Sequence, residues 1–247
     1  MSSYGVFADF YDGLIELTVD YKTRAGYILD VLKKHNHPAG LTLDLACGTG
    51  SLTILLKKLG VDIYGIDGSN EMLSIAQEKA ADEQLDILFL RQQMQELDLY
   101  GTIDTCVCTL DSLNHITDID DVQTAFDRVS LFMNQGGLFV FDVNTVYKHQ
   151  KILADNIFVY DSDEVYCVWI NSLKENNIVN IDLQFFIPRG EVYVADEEHF
   201  SERAYSGEEL AKMLTKAGFA IEAVYDDMTF NEIRDDSQRA VYVARKL

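Results

Sequence analysis

The stretch that decides the fold covers residues 43–50 and reads Leu43-Asp44-Leu45-Ala46-Cys47-Gly48-Thr49-Gly50. It predicts a short buried strand, a glycine turn, and a helix that begins at Ser51. Gly48 and Gly50 remove side chains where the chain reverses, so positive φ is allowed and a ligand can lie against bare backbone. Burying Asp44 in an otherwise apolar strand costs free energy unless a charged or donating group meets it. The stretch therefore indicates a ligand site.

This run resembles the first motif of the class I S-adenosylmethionine-dependent methyltransferases, whose pattern is x-D-x-x-C/G-G-T/C-G. The resemblance implies an α/β fold with a Rossmann-like, seven-stranded, mostly parallel sheet and an inserted antiparallel lid. It also implies S-adenosylmethionine as the cofactor. The cofactor contacts that it implies in this motif are Asp44, Ala46, Cys47, Gly48 and Gly50.

Two other interpretations fit part of the same stretch. A nicotinamide-dependent oxidoreductase also uses a strand, a glycine turn and a helix, but its fingerprint is G-x-G-x-x-G/A. Here the corresponding run ends in Thr53, and Asp44 has no place in that scheme. A βα turn without a ligand would leave Asp44 unexplained.

Composition narrows the class of protein further. The 247 residues are 48% hydrophobic and 25% charged, which suits one α/β domain with an elaboration. A net charge of −21 would repel phosphate backbones. Duplex DNA is therefore not an expected partner. RNA remains an alternative partner, because residues that form a local basic patch can lie far apart in the sequence.

No signal peptide or membrane span is apparent, so a cytoplasmic location is expected. The four cysteines suggest neither a disulfide framework nor a metal site, and no metal is expected.

The chain before the first strand predicts an amphipathic helical cap. Its pattern Y-x-x-F-A-x-x-Y-D, followed by D-Y, is similar to a group of small bacterial methyltransferases of largely unassigned substrate. In that group such helices close over the cofactor, which implies contacts from Tyr11 and Tyr21 with its methionine end. Arg24 is a candidate to neutralise the cofactor carboxylate.

The next strand, residues 61–66, brings Asp67 to its carboxyl end, 17 residues beyond Gly50. In an open α/β sheet that end faces the ligand crevice, and a carboxylate there can accept hydrogen bonds from both ribose hydroxyls. The run G-I-D-G-S-N-E-M-L again resembles the methyltransferase pattern, which implies that Gly68 and Met72 lie against the adenosine.

A third strand is expected at residues 86–90. The family usually carries an acid where Gln93 stands, to accept from the adenine amino group. The amide oxygen of Gln93 can still accept that bond. Backbone at Met94 is expected to contribute as well.

A fourth strand at residues 103–109 ends at Leu110, which is expected beside the cofactor. The loop after it resembles the family pattern D-S-L-N-Y, with His115 in place of the tyrosine. That loop faces the reactive methyl group in the family. Asp111, Asn114 and His115 are therefore candidates for contact with the methyl group or its acceptor.

A helix is expected to start at Thr117. A turn at residues 134–137 then leads into a fifth strand at residues 138–143, which completes the cofactor half. The alternation of strands and helices then stops. Residues 165–173 are rich in β-forming side chains, apolar and polar residues alternate at 179–187, and a turn leads into residues 191–194, so these three segments predict an antiparallel lid. We expect residues 1–154 and 201–247 to form the cofactor-binding domain and residues 155–200 the lid. His199 and Tyr205, on the return segment, are further candidates for contact with the acceptor. Ser206 and Glu209 predict a capping box for the helix that follows.

Together these features predict methyl transfer from S-adenosylmethionine to a small-molecule acceptor. The alternatives are a tRNA or other RNA methyltransferase, a nicotinamide-dependent oxidoreductase, and a cofactor-binding regulator without catalysis.

Overall fold

Seven strands form the main sheet of the structure, a computed structural model that describes Phe10, Asp12, Gly13 and residues 19–247. In chain order these strands are β1 (Leu41–Leu45), β2 (Asp62–Asp67), β3 (Phe89–Arg91), β4 (Ile103–Cys108), β5 (Met133–Asn144), β10 (Phe219–Asp226) and β11 (Arg239–Lys246). Their order across the sheet is β10-β11-β5-β4-β1-β2-β3. Strands β1 to β5 pair in parallel, and β11 runs antiparallel to both neighbours. The expected α/β fold with a mostly parallel seven-stranded sheet is confirmed.

Helices cover both faces of this sheet. They are α1 (Tyr21–Lys34), α2 (Ser51–Lys58), α3 (Asn70–Asp82), α4 (Ile119–Phe132) and α5 (Gly207–Lys216). Apolar residues of α4 and α5 pack with β4 and β5 in one buried cluster, while α1 and α2 pack in another against the opposite side chains of the same strands. Because side chains alternate along a strand, Cys106 and Cys108 enter the first cluster and Val107 the second.

Side-chain caps set where most helices begin. Ser206 and Glu209 form the expected capping box at α5, and Ser69 accepts from Met72 N at the start of α3. The prediction that Thr117 begins α4 is wrong by one residue. Asp118 is the cap instead, and its carboxylate accepts from Asp120 N at 2.9 Å.

A second, antiparallel sheet contains β6 (Ile157–Asp161), β7 (Tyr166–Leu173), β8 (Ile178–Arg189) and β9 (Val192–Arg203), in that order. We call it the lid sheet. The sequence pattern did not predict β6, because its apolar residues occupy both faces of an edge strand and do not alternate with polar ones. A π-helical turn, Lys148–Leu153, joins β5 to the lid sheet.

Other strand bounds differ from expectation at the ends. Strand β3 begins at Phe89 rather than at residue 86, and β5 begins at Met133, so the predicted turn at residues 134–137 lies within it. Gly136, with φ of +79°, lies where the pairing of β5 with β4 shifts register. The described cysteines are all free thiols, and no helix in the described part of the chain could cross a membrane.

Candidate active site

A cavity of about 1050 Å³ lies between the carboxyl ends of the parallel strands and the inner face of the lid sheet. Segments that follow β1, β2, β3 and β4 form its floor, and β6, β7 and β9 contribute to its roof. Of the candidate residues, the cavity wall includes Ala46, Gly48, Asp67, Gly68, Met72, Gln93, Met94, Leu110, Asp111 and His115. The topology therefore brings together residues that lie far apart in the chain.

The glycine turn after β1 leaves bare backbone at this wall. Gly48 has φ of +54°, and a Cβ placed on it would meet no atom within 4 Å. Gly50 is required for packing, because a Cβ at this position would lie 2.9 Å from the Cβ of Ala76 on α3. Gly50 thus allows the turn to pack against α3, and it lines neither described cavity.

Asp67 joins this turn to the end of β2. Its two carboxylate oxygens accept from the backbone N–H of Gly48 at 2.9 Å and of Ser69 at 2.8 Å. Burial raises the pKa of the Asp67 carboxyl, and these two bonds oppose that shift. Since a carboxylate oxygen has more than one acceptor site, both oxygens can also accept from ribose hydroxyls.

Gly68 and Gln93 meet at the adjoining part of the wall. A Cβ on Gly68 would lie 2.6 Å from the side-chain nitrogen of Gln93, so glycine makes room for that amide. Met72 and Met94 lie on the same wall. Together, the amide and the two thioethers provide polar contacts and apolar surface, which fits an adenine ring.

A smaller cavity of about 30 Å³ continues behind the turn and is lined by Tyr21, Asp44, Ala46 and Cys47 among others. The Asp44 carboxylate accepts from the hydroxyl of Thr53 at 2.5 Å. Burial raises the pKa of Asp44 to about 7, although the Thr53 bond opposes the shift. An acid buried at this cost fits a cationic ligand group such as the ammonium of S-adenosylmethionine.

Asp12 binds the turn through its side chain. The Asp12 carboxylate accepts from the hydroxyls of Thr49 at 2.8 Å and Ser51 at 3.0 Å, and its other oxygen is 2.8 Å from Lys79 Nζ. Tyr11 lies outside the described residues.

The structure gives Arg24 a role different from the expected one. Its guanidinium is buried and binds the carboxylate of Asp142 at 2.9 Å, with Asp227 at 3.8 Å. Arg24 lines neither cavity, and within the described chain its Nε has no hydrogen-bond partner. The pairing with Asp142 commits most of its charge to a structural ion pair.

The loop after β4 takes an unusual backbone form. Leu110 and Asp111 both have positive φ, at +58° and +54°. The backbone N–H groups of these two residues donate to the two oxygens of Asp142, at 3.0 and 2.8 Å. Asp142 therefore holds a conformation that L-residues rarely adopt.

Asp111 is also fixed through its side chain. One oxygen lies 2.8 Å from Arg239 Nη2, and the other accepts from Asn144 at 2.6 Å. Burial favours the neutral acid, but the charges of Arg239, Lys148 and His115 together outweigh burial and hold the pKa of Asp111 well below its usual range. Asp111 is thus a fixed negative charge in the cavity wall.

His115 lies on the same wall beside the lid sheet. Its ring packs against Phe200 with 5.2 Å between centroids, and its Nε2 is 3.6 Å from Glu202 Oε1. Burial raises the pKa of the Glu202 carboxyl. An imidazole beside a carboxylate is an arrangement that can accept a proton from a bound ligand.

Three candidates lie away from the cavity wall. Asn114 is fully buried, and its amide joins the backbones of Asn144 and Arg203. Tyr205 is buried against Arg203 and donates to the carbonyl of Ile116. His199 lies on the exposed face of the lid sheet, 2.5 Å from Asp182. Their positions indicate roles in packing and in anchoring the lid sheet.

The sequence interpretation missed four charged residues of this region, namely Asp142, Lys148, Glu202 and Arg239. Lys148, Glu202 and Arg239 line the cavity, and Asp142 stands behind it. The sequence could have indicated Asp142, because this acid lies inside an apolar strand, as Asp44 does. Arg239 is placed by β11, Glu202 by the lid sheet and Lys148 by the π-helical turn, and local sequence does not specify where these elements lie.

Aromatic side chains on the lid sheet form the roof of the cavity. Phe158, Tyr160, Trp169 and Phe200 line it, and the Phe158 and Trp169 rings lie 6.1 Å apart. These residues provide a largely apolar surface opposite the charged floor.

Comparison with known proteins identifies the family. A family model described as a methyltransferase domain matches residues 42–137. A protein of Geobacillus sp. (strain WCH70) that is named as a methyltransferase is 32% identical over 99% of this chain and 100% of its own length. A relative from Bacillus subtilis (strain 168), also named as a methyltransferase, is 35% identical over 84% of each chain.

Solved structures agree with these relatives. An S-adenosylmethionine-dependent methyltransferase from Clostridium acetobutylicum ATCC 824 superposes with a TM-score of 0.90 at 34% identity, covering 98% of both chains. An amino pentose methyltransferase from Micromonospora echinaspora shares the fold, with a TM-score of 0.78 at 16% identity over 98% of this chain and 97% of its own. The glycine turn, Asp67 and the Gly68–Gln93 contact fit the cofactor of these enzymes. The chain belongs to the class I S-adenosylmethionine-dependent methyltransferases, and S-adenosylmethionine is its cofactor.

Proposed function

We propose that the protein transfers the methyl group to an amine on a small molecule that binds between the loop after β4 and the lid sheet. The observation that carries this proposal is the cavity itself, in which one wall has the cofactor-binding features and the other has the aromatic roof. Its volume of about 1050 Å³ is near the upper end of the usual range for small-molecule sites.

The charge of the cavity favours an amine. Besides Asp67, its wall carries the carboxylates of Glu71, Asp111, Asp118, Asp121 and Glu202. The lysine and arginine residues in the wall are Arg91, Lys148 and Arg239. An excess of carboxylates attracts a cationic acceptor, while the same charge disfavours a phosphate-rich one.

Fold neighbours support the same class of acceptor. One is an amino pentose methyltransferase, and another, with a TM-score of 0.78 at 19% identity, is a sugar N-methyltransferase from Streptoalloteichus. We infer from them only that this fold and lid accommodate small amine acceptors.

In the proposed reaction, S-adenosylmethionine supplies a methyl group that its positively charged sulfur makes electrophilic. The acceptor ammonium first loses a proton to His115, which leaves a lone pair on nitrogen. The N–C bond then forms as the C–S bond breaks, and the bonding pair remains on sulfur. Positioning by Asp111 and the aromatic roof is the main contribution of the protein, and such positioning can supply about 7–11 kcal/mol.

A label-transfer screen tests the acceptor class. Purified protein is incubated with methyl-labelled S-adenosylmethionine and with matched sets of small amines, alcohols and carboxylates. Transfer to amines, with a rate that increases as pH rises through the pKa of the amine, supports the proposal. Transfer only to alcohols or only to carboxylates would show that the acceptor is not an amine. Salt-sensitive transfer to tRNA would show that the acceptor is RNA.

A further inference from the structure

Glu202, near the end of β9, lies between two imidazole rings. Its Oε1 is 3.6 Å from Nε2 of His115, and its Oε2 is 3.7 Å from Nε2 of His149. Asn144 adds a 3.4 Å contact to Oε2. Glu202 is 4% exposed, so its carboxylate depends on these neighbours rather than on water.

His149 lies behind Glu202, on the π-helical turn, and is fully buried. Its Nδ1 is 2.9 Å from the carbonyl oxygen of Asn177. Because a carbonyl only accepts, Nδ1 must carry the proton and donate it. In a neutral ring, Nε2 is then an acceptor with a lone pair.

That lone pair faces the Glu202 carboxylate. Nε2 of His149 is buried and has no hydrogen-bond partner among residues 19–247 or the other described residues. Two buried acceptors that face each other cost free energy, and the cost disappears when a proton lies between them. The geometry therefore indicates one proton shared by Oε2 of Glu202 and Nε2 of His149.

Other charged groups face this pair from two elements, the loop after β4 and the π-helical turn. Asp111, in the loop after β4, raises the pKa of both Glu202 and His149, whereas Lys148 on the π-helical turn lowers both. His115 lowers the pKa of Glu202 from the cavity side. Burial acts most strongly on each, raising the pKa of Glu202 and lowering that of His149.

We propose that His149 sets the charge that Glu202 presents to His115, through the proton that His149 and Glu202 share. When His115 takes a proton from the acceptor, the shared proton moves from Oε2 of Glu202 to Nε2 of His149. A full carboxylate then faces the new imidazolium of His115. No proton is gained or lost beyond the one that the acceptor gives up.

His149 is thus a positioning residue, which acts on the acceptor only through Glu202 and His115. The distances of 3.6 and 3.7 Å must shorten by less than about 1 Å for these bonds to form, and acid–base contacts are often this long before ligand binds. The inference rests on the proposed role of His115 as base.

Nitrogen-15 NMR of the imidazoles tests the proton sharing without an acceptor. The chain has five histidines, and single His→Gln variants assign their signals. In wild-type protein we expect Nε2 of His149 to shift toward its protonated position over the pH range in which His115 titrates. A His149 Nε2 that stays unprotonated throughout the His115 titration would overturn the proposal.

Two variants test whether Glu202 and His149 affect proton binding by His115. Glu202→Gln and His149→Phe should each weaken proton binding by His115 about tenfold. The first variant removes the carboxylate itself. The second removes the base that takes the shared proton, so the buried Glu202 keeps that proton and stays neutral. His199→Gln is the control, because His199 pairs with Asp182 on the exposed face and should leave the His115 titration unchanged. An unchanged His115 titration in both test variants would contradict the proposal.

Failure of this proposal is distinguishable from failure of the proposed function. The NMR titration needs no methyl transfer, so it reports only on the shared proton. The label-transfer screen reports the acceptor class whatever the state of His149. Cofactor titration calorimetry on each variant shows that the cofactor half remains folded.

Discussion

Asp142 holds Asp111 in its left-handed conformation: Oδ1 of Asp142 accepts the backbone N–H of Asp111 at 2.8 Å. The same carboxylate binds the guanidinium groups of Arg24 and Arg239. One buried acid on β5 thus fixes both the loop that carries Asp111 and two buried cations. The charged floor of the cavity depends on this residue although it does not line the cavity.

We predict that Asp142→Asn lowers the free energy of unfolding by about 3–5 kcal/mol, the usual result of removing one partner from a buried ion pair. Whichever way the new amide is turned, its NH2 group faces a backbone donor and an arginine. Urea unfolding followed by circular dichroism measures the loss. Asp86→Asn, at an exposed position, is the control and should change stability by less than about 0.5 kcal/mol. Equal stability of the two variants would contradict the role given to Asp142.

Asp67→Ala should weaken S-adenosylmethionine binding at least about tenfold. The variant removes the acceptor of the ribose hydroxyls, and hydrogen bonds to a charged group contribute about 1.5–3 kcal/mol each. Titration calorimetry gives the affinity. Asp62→Ala is the matched control, because Asp62 is exposed at the other end of β2 and should leave the affinity unchanged. Retained affinity in Asp67→Ala would remove Asp67 from the cofactor site.

Asp44 should make the ligand-free protein less stable as pH rises from about 4 to 7. Its pKa is raised from 3.8 to about 7 in the folded protein, so between these values the folded chain holds a proton that the unfolded chain has released. That contribution is complete below pH 4 and is lost as pH rises through 7. The shift corresponds to at most about 4 kcal/mol.

Asp44→Asn removes this titration. The difference in unfolding free energy between wild type and variant should therefore change in favour of the variant as pH rises from 4 to 8. Urea unfolding at several pH values measures it. A difference that stays constant over this range would show that the Asp44 carboxyl is not buried at this cost.

Trp169→Ala should weaken acceptor binding and leave the cofactor affinity intact. The tryptophan lines the roof of the cavity, and loss of a large apolar contact costs about 1.5–3 kcal/mol, which corresponds to an increase in the acceptor KM of about tenfold or more. Tyr166→Ala is the control, because Tyr166 projects from the opposite face of β7. Initial rates with an amine found in the label-transfer screen provide the KM. Equal effects of the two substitutions would argue against an acceptor site under the lid sheet.

Sequence predicted the parts of this molecule that local patterns determine. The glycine turn, Asp67 at the end of β2, and the capping box at Ser206 each rest on residues a few positions apart. The expected α/β fold followed from the order of these patterns together with the family resemblance.

The remaining parts depend on long-range pairing. Arg239 reaches Asp111 only because β11 pairs with β5, and Glu202 reaches His115 only because β9 returns over the cavity. Neither juxtaposition has a local signature. For Asn114 the sequence predicted the position in the loop but not the direction of the side chain. The side chain points inward and donates to the backbone carbonyls of Asn144 and Arg203.

The measurement that tests the proposed function most directly is label transfer from S-adenosylmethionine to a metabolite extract that has been fractionated by charge, with bulk tRNA in parallel. We predict that label enters a small cationic fraction and that Asp67→Ala reduces the transfer about fivefold or more at cofactor concentrations near the wild-type Kd. Label only in tRNA, or no label in any fraction from protein that binds the cofactor, would contradict methyl transfer to a small amine.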